Sequence, residues 1–233
     1  MSGAASINKI GKSSVPRTAI STSDEHSITI RGEDLCRDLI GRTSFTEYFS
    51  FLLTGQKPTP GDVQVLDATL VAIADHGMVP SVQASRMTYA AAPDALHGAV
   101  AAGILGCGSV ILGASETAGR LFAEVDDLAR GGVALAEAAS RVVRQYREAG
   151  KPLPGYGHPL HKERDPRVNR LFDVARAAGT SLRYVEIAEA VEVAIPDIVG
   201  KPLKLNVSAA IPAVLLGTNF PLRALRGVPI LAR

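Results

Sequence analysis

The chain has 233 residues and a formal net charge of +2, with 46% apolar residues, no tryptophan and only two cysteines, Cys36 and Cys107. It is long enough for one substantial core, or for a large and a small lobe sharing one. The near-neutral charge without a basic run argues against nucleic acid as a partner. Two distant cysteines specify neither a disulfide framework nor a zinc site, and both read as small buried hydrophobes.

The first 30 residues read as a flexible arm that is polar and rich in Ser and Thr, with Ile28-Thr29-Ile30 as a short extended piece. No apolar leader is visible at the start, and the longest apolar run, 207–217, is too short to span a bilayer. The cytoplasm is therefore the expected compartment, with no membrane partner. Residues 31–233 read as a helical domain, with a small lobe over roughly 115–220. Ser44-Phe-Thr-Glu47 has the form of a capping box and predicts a helix over 44–54, ending at Gly55. Pro60 suits a helix start, and Val63, Leu66, Leu70 and Ile73 continue at helical spacing toward Asp75-His76-Gly77. Further helical patterns cover 81–92, 94–106, 110–130, 133–149, 165–178, 181–195, 206–218 and 221–232. Alternating strand patterns are nearly absent, so the fold class is all-α. The helix over 207–217 is apolar on every side and belongs at the centre.

The chemistry concentrates in residues 152–170, PLPGYGHPLHKERDPRVNR. Gly155 and Gly157 are expected to leave backbone N–H groups open to a ligand. His158 can donate to a carbonyl oxygen near neutral pH. Arg167 offers a planar fork to a carboxylate. A Gly/Pro-punctuated loop with an ordinary surface His and Arg is the plain alternative. His158 and His161 lack a nearby third ligand of the usual kind, and Pro159 disturbs helical pairing, so no metal is expected.

GYGHPLHKERDPR resembles the GYGH…DPR segment of the citrate synthase superfamily. Ala74-Asp75-His76-Gly77 is similar to the histidine motif that binds the 2-oxoacid there, in the form found in the citryl-CoA-cleaving module of ATP-citrate lyase. Lys201-Pro-Leu-Lys204-Leu-Asn206-Val-Ser208 resembles the family's Asn-Val-Asp segment, with lysines upstream near the coenzyme A phosphates. Val228-Pro-Ile-Leu-Ala-Arg233 resembles the helix whose arginine grips a substrate carboxylate. The chain ends on that arginine, where the family continues into another helix that reaches the partner subunit's site. The first part of a full-length citrate synthase has no counterpart here, as in the compact citryl-CoA lyases.

The resemblance implies a dimeric all-α fold with large and small lobes. It implies His158, His76 and Ser208 at the catalytic positions, and His76, Arg167, Arg233 and Asn206 around the oxoacid. Coenzyme A, as acyl-CoA substrate, would lie along Leu153, Pro154, Gly155, Tyr156 and Gly157, with Lys201 and Lys204 near its phosphates. Two departures accompany the matches. Ile111 stands where citrate synthases carry the enolising histidine, and Ser208 stands where they carry the aspartate. His97 in Leu96-His97-Gly98 lies about four helical turns too early to replace that histidine. It reads better as a helix-start or interface residue.

An alkyl group cannot polarise a thioester and a hydroxyl is too weak a base to take an α-proton unaided. Losing one such group costs roughly 10²–10⁴-fold in rate. The expected activity is cleavage or formation of a carbon–carbon bond between a short acyl-CoA and a 2-oxoacid, with citryl-CoA lyase as the leading case. A non-catalytic acyl-CoA or oxoacid sensor stays open. So does a transferase with another acyl or oxoacid substrate, Ile111 then extending an apolar acyl pocket.

Overall fold

The computed structural model describes residues 18–108, 112–157 and 164–233. The chain divides into two compact units, at Lys57 and Pro58. In the first, strands β1 (Ser21–Ser23), β2 (Ile28–Ile30) and β3 (Glu33–Asp34) pair antiparallel in sequence order, Thr22 facing Thr29 and Thr29 facing Asp34. The expected extended piece is thus β2, and the described end of the expected arm is a sheet. A π-helical turn, Leu35–Leu39, leads to helix α1 (Phe45–Thr54). The predicted capping box is present in full: the Ser44 side chain accepts the Glu47 N–H, and the Glu47 carboxylate accepts the Ser44 N–H. Ile30, Leu39 and Phe51 form a small core beneath the sheet.

The second unit is helical. Helix α2 (Pro60–Ile73) begins with Pro60 as predicted and with a second capping box, Thr59 with Asp62. Helices α3 (Pro80–Ala91) and α4 (Leu96–Leu105) form a hairpin packed chiefly on itself. Helices α5 (Ala114–Arg130), α6 (Leu135–Glu148), α7 (Pro166–Ala177), α8 (Arg183–Val199) and α9 (Val207–Leu215) make the main bundle. A 3-10 turn, Leu216–Thr218, extends α9, and α10 (Gly227–Ala232) packs on α2. Helix α9 is central as expected, since Ala209 through Leu215 are all buried.

Two boundaries differ from the sequence reading. Helix α8 runs four residues past the predicted end, through Pro196. A proline in the last turn removes one hydrogen bond, to the carbonyl four residues back. Gly200, in the left-handed conformation, then closes the helix on Pro196 O at 2.9 Å. The predicted helix over 221–232 is broken instead: a 3-10 turn at Leu222–Ala224 precedes α10. Pro229 has no N–H to continue a ladder from Leu225, and Leu225 is itself fully buried at the break.

Candidate active site

The second unit brings four sequence-predicted residues to one small cleft. His76, Arg167, Ser208 and Arg233 line it, together with Leu112 and Ser115. His76 comes from the loop after α2, Arg167 from the first turn of α7, Ser208 from the first turn of α9 and Arg233 from the end of α10. His158 and Ile111 lie outside the described residues.

Asp165 sets Arg167. It is the N-cap of α7, wholly buried, and its carboxylate accepts the Arg167 backbone N–H at 3.0 Å. The same carboxylate accepts Nε at 3.1 Å and Nη2 at 2.8 Å from the Arg167 guanidinium. Burial pulls this carboxyl up, but the Arg167 donors and the Val207 N–H outweigh it and hold the carboxyl below its ordinary value. The pairing orients Arg167 and offsets part of its charge. The sequence reading did not single out Asp165. The signal was an aspartate directly before a helix-starting proline, with an arginine two residues on.

Arg233 is held differently. Its Nε donates to Ile73 O at 3.0 Å, and among the described residues no side-chain carboxylate pairs with it. Burial and the neighbouring Arg167 lower its affinity for a proton, while Cys107 opposes them. His76 feels burial first, then Arg233 and Arg167, and these lower its pKa from 6.5 against the pull of Asp75. The ring lies beyond the last helical residue of α2, Ile73, and both guanidiniums reach it from elements distant in the chain. The cleft is therefore a positive site with a neutral imidazole at neutral pH, suited to an anion that carries a carbonyl oxygen.

The glycine turn is built for close packing. Gly155 has φ +84°, and a Cβ there would sit 2.5 Å from the Ala209 Cβ and 2.8 Å from its nitrogen. The turn is stitched to the segment before α9: the Gly157 N–H donates to Lys204 O at 2.7 Å and the Asn206 N–H to Gly155 O at 3.0 Å. The N–H expected to be open at Gly157 is thus spent on the protein. Asn206, expected at the oxoacid, has both ends of its amide engaged with backbone. Its Oδ1 accepts the Ser208 N–H at 2.9 Å as the cap of α9, and its Nδ2 donates to Gly157 O at 2.7 Å.

Tyr156 is buried, with its hydroxyl donating to Ala188 O at 2.9 Å and its pKa raised well above 10 by that burial. Its side chain anchors the turn to α8. Leu153 and Pro154 are half-buried beside it, Lys204 is half-buried and Lys201 exposed. Neither ammonium has a carboxylate partner among the described residues.

Ser208 enters the cleft on the opening turn of α9. Pro212, one turn on, carries no N–H, so the Ser208 carbonyl lacks its helical donor. Among the described residues of the cleft, His76 is the one group able to exchange a proton near neutral pH.

Comparison with known proteins agrees with this geometry. Residues 14–233 match the family model for the citrate synthase C-terminal domain. The fold superimposes on citryl-CoA lyase from Hydrogenobacter thermophilus with a TM-score of 0.83 and 35% identity, covering 94% of this chain and 83% of that one. ATP citrate lyase from Methanosaeta concilii, solved with (3S)-citryl-CoA, shares the fold with a TM-score of 0.78 at 22% identity, over 96% of this chain and 38% of that one. Citrate synthase from Deinococcus radiodurans is 33% identical over 156 residues, which are 65% of this chain and 39% of that protein. Citrate synthase 2 from Bacillus subtilis is 27% identical over 159 residues, 68% of this chain and 40% of that protein. The chain thus spans about two fifths of the length of these curated relatives. Its helical architecture, its cleft and these matches make it a member of the citrate synthase family.

Proposed function

We propose that the chain makes or breaks a carbon–carbon bond between a short acyl-CoA and a 2-oxoacid, with citryl-CoA cleavage as the leading reaction. The observation that carries the reading is the convergence of His76, Arg167, Ser208 and Arg233 on one cleft. The arginines hold carboxylate. His76, neutral at pH 7, faces the oxygen that is a tertiary hydroxyl on one side of the reaction and a ketone on the other.

In the cleavage direction the hydroxyl proton leaves to an imidazole and the carbon–oxygen bond becomes double. The electron pair of the broken carbon–carbon bond passes to the acetyl carbon as a thioester enolate, which then takes a proton. Cationic donors fixed around the developing oxyanion supply the stabilisation. His158, from the glycine turn, is proposed as the second imidazole at that oxygen. Ser208 is proposed to position a water or the thioester oxygen. Coenzyme A is proposed along the turn from Leu153 to Gly157, with its phosphates toward Lys201 and Lys204. The exposed apolar residues of α3 and α4 support a homodimer.

The cleft also favours a second reading, a non-catalytic sensor of the same ligands, because Ser208 occupies the place of the family's base. Calorimetry with oxaloacetate and coenzyme A, followed by a cleavage assay on citryl-CoA, separates the two. The lyase reading expects binding and turnover, with turnover falling roughly 10²–10⁴-fold in His76→Ala. Binding without turnover makes the protein a sensor. Failure of both ligands to bind at millimolar concentration overturns the cleft assignment.

A further inference from the structure

The proposed reaction leaves one buried polar residue of the cleft without a task, Ser115. It is 4% exposed and lines the cleft with Ser208 and Arg167, and its hydroxyl has no hydrogen-bond partner among the described residues. A buried hydroxyl without a partner is costly in a folded protein, and a ligand oxygen relieves that cost.

Ser115 stands in the first turn of α5, a helix of 17 residues whose N-cap, Gly113, brings no side chain to the opening N–H groups. Those groups and the hydroxyl are neutral donors at the positive end of the helix. The charge of Glu116, the next residue, is offset by Arg120 and Arg226, at 2.7 and 2.8 Å from its carboxylate.

Neutral donors and cations suit different oxygens. A carboxylate brings its charge into the cleft, where Arg167 and Arg233 meet it. A thioester oxygen is uncharged in the bound substrate and gains charge only as the carbon–carbon bond breaks. Donors aimed at it therefore act on the transition state more than on binding. The supports divide in the same way. Arg167 and Arg233 stand on α7 and at the end of α10, which both pack on α2, whereas Ser115 and Ser208 stand on α5 and α9, which pack on each other. The glycine turn proposed for coenzyme A lies against α9, with Gly155 backed onto Ala209, the residue after Ser208.

Resting on the lyase reading of the cleft, we propose that Ser115 is a catalytic residue, an oxyanion donor to the thioester enolate. Its Oγ–H and the opening N–H groups of α5 donate to the enolate oxygen, and the hydroxyl proton stays on the serine. This supplies the polarisation that the alkyl side chain of Ile111 cannot.

Calorimetry on the full chain with oxaloacetate, coenzyme A and carboxymethyl-coenzyme A tests this. The last carries a charged oxygen in place of that of the thioester enolate. Mimics of the charge-developed state bind more tightly than the ground state. With oxaloacetate present, the parent is thus expected to bind carboxymethyl-coenzyme A at least about tenfold tighter than coenzyme A. Ser115→Ala is expected to weaken carboxymethyl-coenzyme A by about tenfold or more, the worth of one hydrogen bond to a charged oxygen. Affinity for oxaloacetate and coenzyme A should stay unchanged, while citryl-CoA turnover falls by roughly 10²–10³-fold. Unchanged carboxymethyl-coenzyme A affinity in the variant overturns the proposal. So does an equal loss of oxaloacetate affinity, which would assign the hydroxyl to a carboxylate. A parent that binds coenzyme A and oxaloacetate without preferring the carboxymethyl form sinks this assignment alone. Rejection of both ligands sinks the reading of the cleft as well.

Discussion

In the bundle formed by α5 to α9 the apolar side chains face inward: Leu121, Phe122, Val142, Phe172, Ile187 and Ile195 are all but inaccessible. In the α3–α4 hairpin the burial is reversed. Ser81 and Ala99 are the buried residues there, while Met87 is 73% exposed, Leu105 86% and Leu96 64%. Apolar content does not explain the contrast, since α4 is almost wholly apolar and α5 carries charge at every turn. What differs is periodicity. In α5 the apolar residues fall on one face, so one packing direction satisfies them. In α4 they point all round, and the hairpin offers one partner helix. A single neighbour covers one side only, and the rest waits for another surface.

Truncation inside the bundle gives the largest expected effect. Phe122→Ala removes a fully buried ring, and such changes cost about 3–5 kcal/mol. At roughly 2–4 °C per kcal/mol for a chain of this size, thermal unfolding should fall by about 6–20 °C. A fall no larger than that of Met87→Ala would end the contrast between the two regions.

Asp165→Ala comes next. It strands Arg167 and uncaps α7, and removing one partner of a buried pair costs about 3–5 kcal/mol. Arg167 is one-third exposed, which brings the expected loss to about 2–3 kcal/mol by chemical denaturation. The acid dependence has a definite sign. The folded Asp165 carboxyl lies below its ordinary 3.8, so its contribution is present above that value and disappears as pH falls through the lower folded one. The Ala variant should lose that segment of acid sensitivity. An unchanged acid limb would mean that Asp165 is not the stabilising carboxylate.

The local grammar of this fold was legible where a residue acts on its own backbone. Ser44 and Glu47, Pro60, and the glycines that end helices needed no tertiary knowledge. Side chains that act across the fold were not. Gly155 signalled an open backbone, yet its missing side chain is occupied by Ala209, fifty-four residues on in the chain. The surroundings of His76 were not legible either, since its pKa is lowered first by burial and then by Arg233 and Arg167, which arrive from distant elements. Pro196 pointed to a helix end because propensity counts the lost bond and not the burial of Ala194 and Ile195, which hold α8 in place. The four cleft residues were found by motif, but which of their partners are already taken is a property of the folded chain.

The cleft lies on the bundle side of this contrast, and its pH dependence follows from the groups around His76. An anion bound beside His76 opposes the two guanidiniums and raises the imidazole pKa. Binding then takes up a proton, and affinity rises as pH falls through the window below 6.5. One proton gives at most about tenfold per pH unit, or about 1.4 kcal/mol, and the exposure of the His76 side chain makes the effect smaller. Oxaloacetate titrations between pH 5 and 7.5, in buffers of different ionisation enthalpy, measure the uptake. Retention of the full slope in His76→Gln would move the proton to another group.

The smallest effect on stability is expected on the hairpin and is the most telling for it. Met87→Glu with Leu105→Glu replaces two exposed apolar side chains by charge, and surface changes of this kind fall within about 0.5 kcal/mol. Unfolding of the dilute chain should therefore hardly change. Association should change a great deal, because a partner covering α3 and α4 would have to bury two introduced carboxylates. Sedimentation at several concentrations separates these quantities. A dimeric parent and a monomeric, equally stable double variant would make the hairpin an interface, with its apolar residues stabilising the assembly rather than the subunit. A variant that unfolds as a monomer instead would mean that these side chains already serve the subunit, and the distinction between bundle and hairpin would be one of degree.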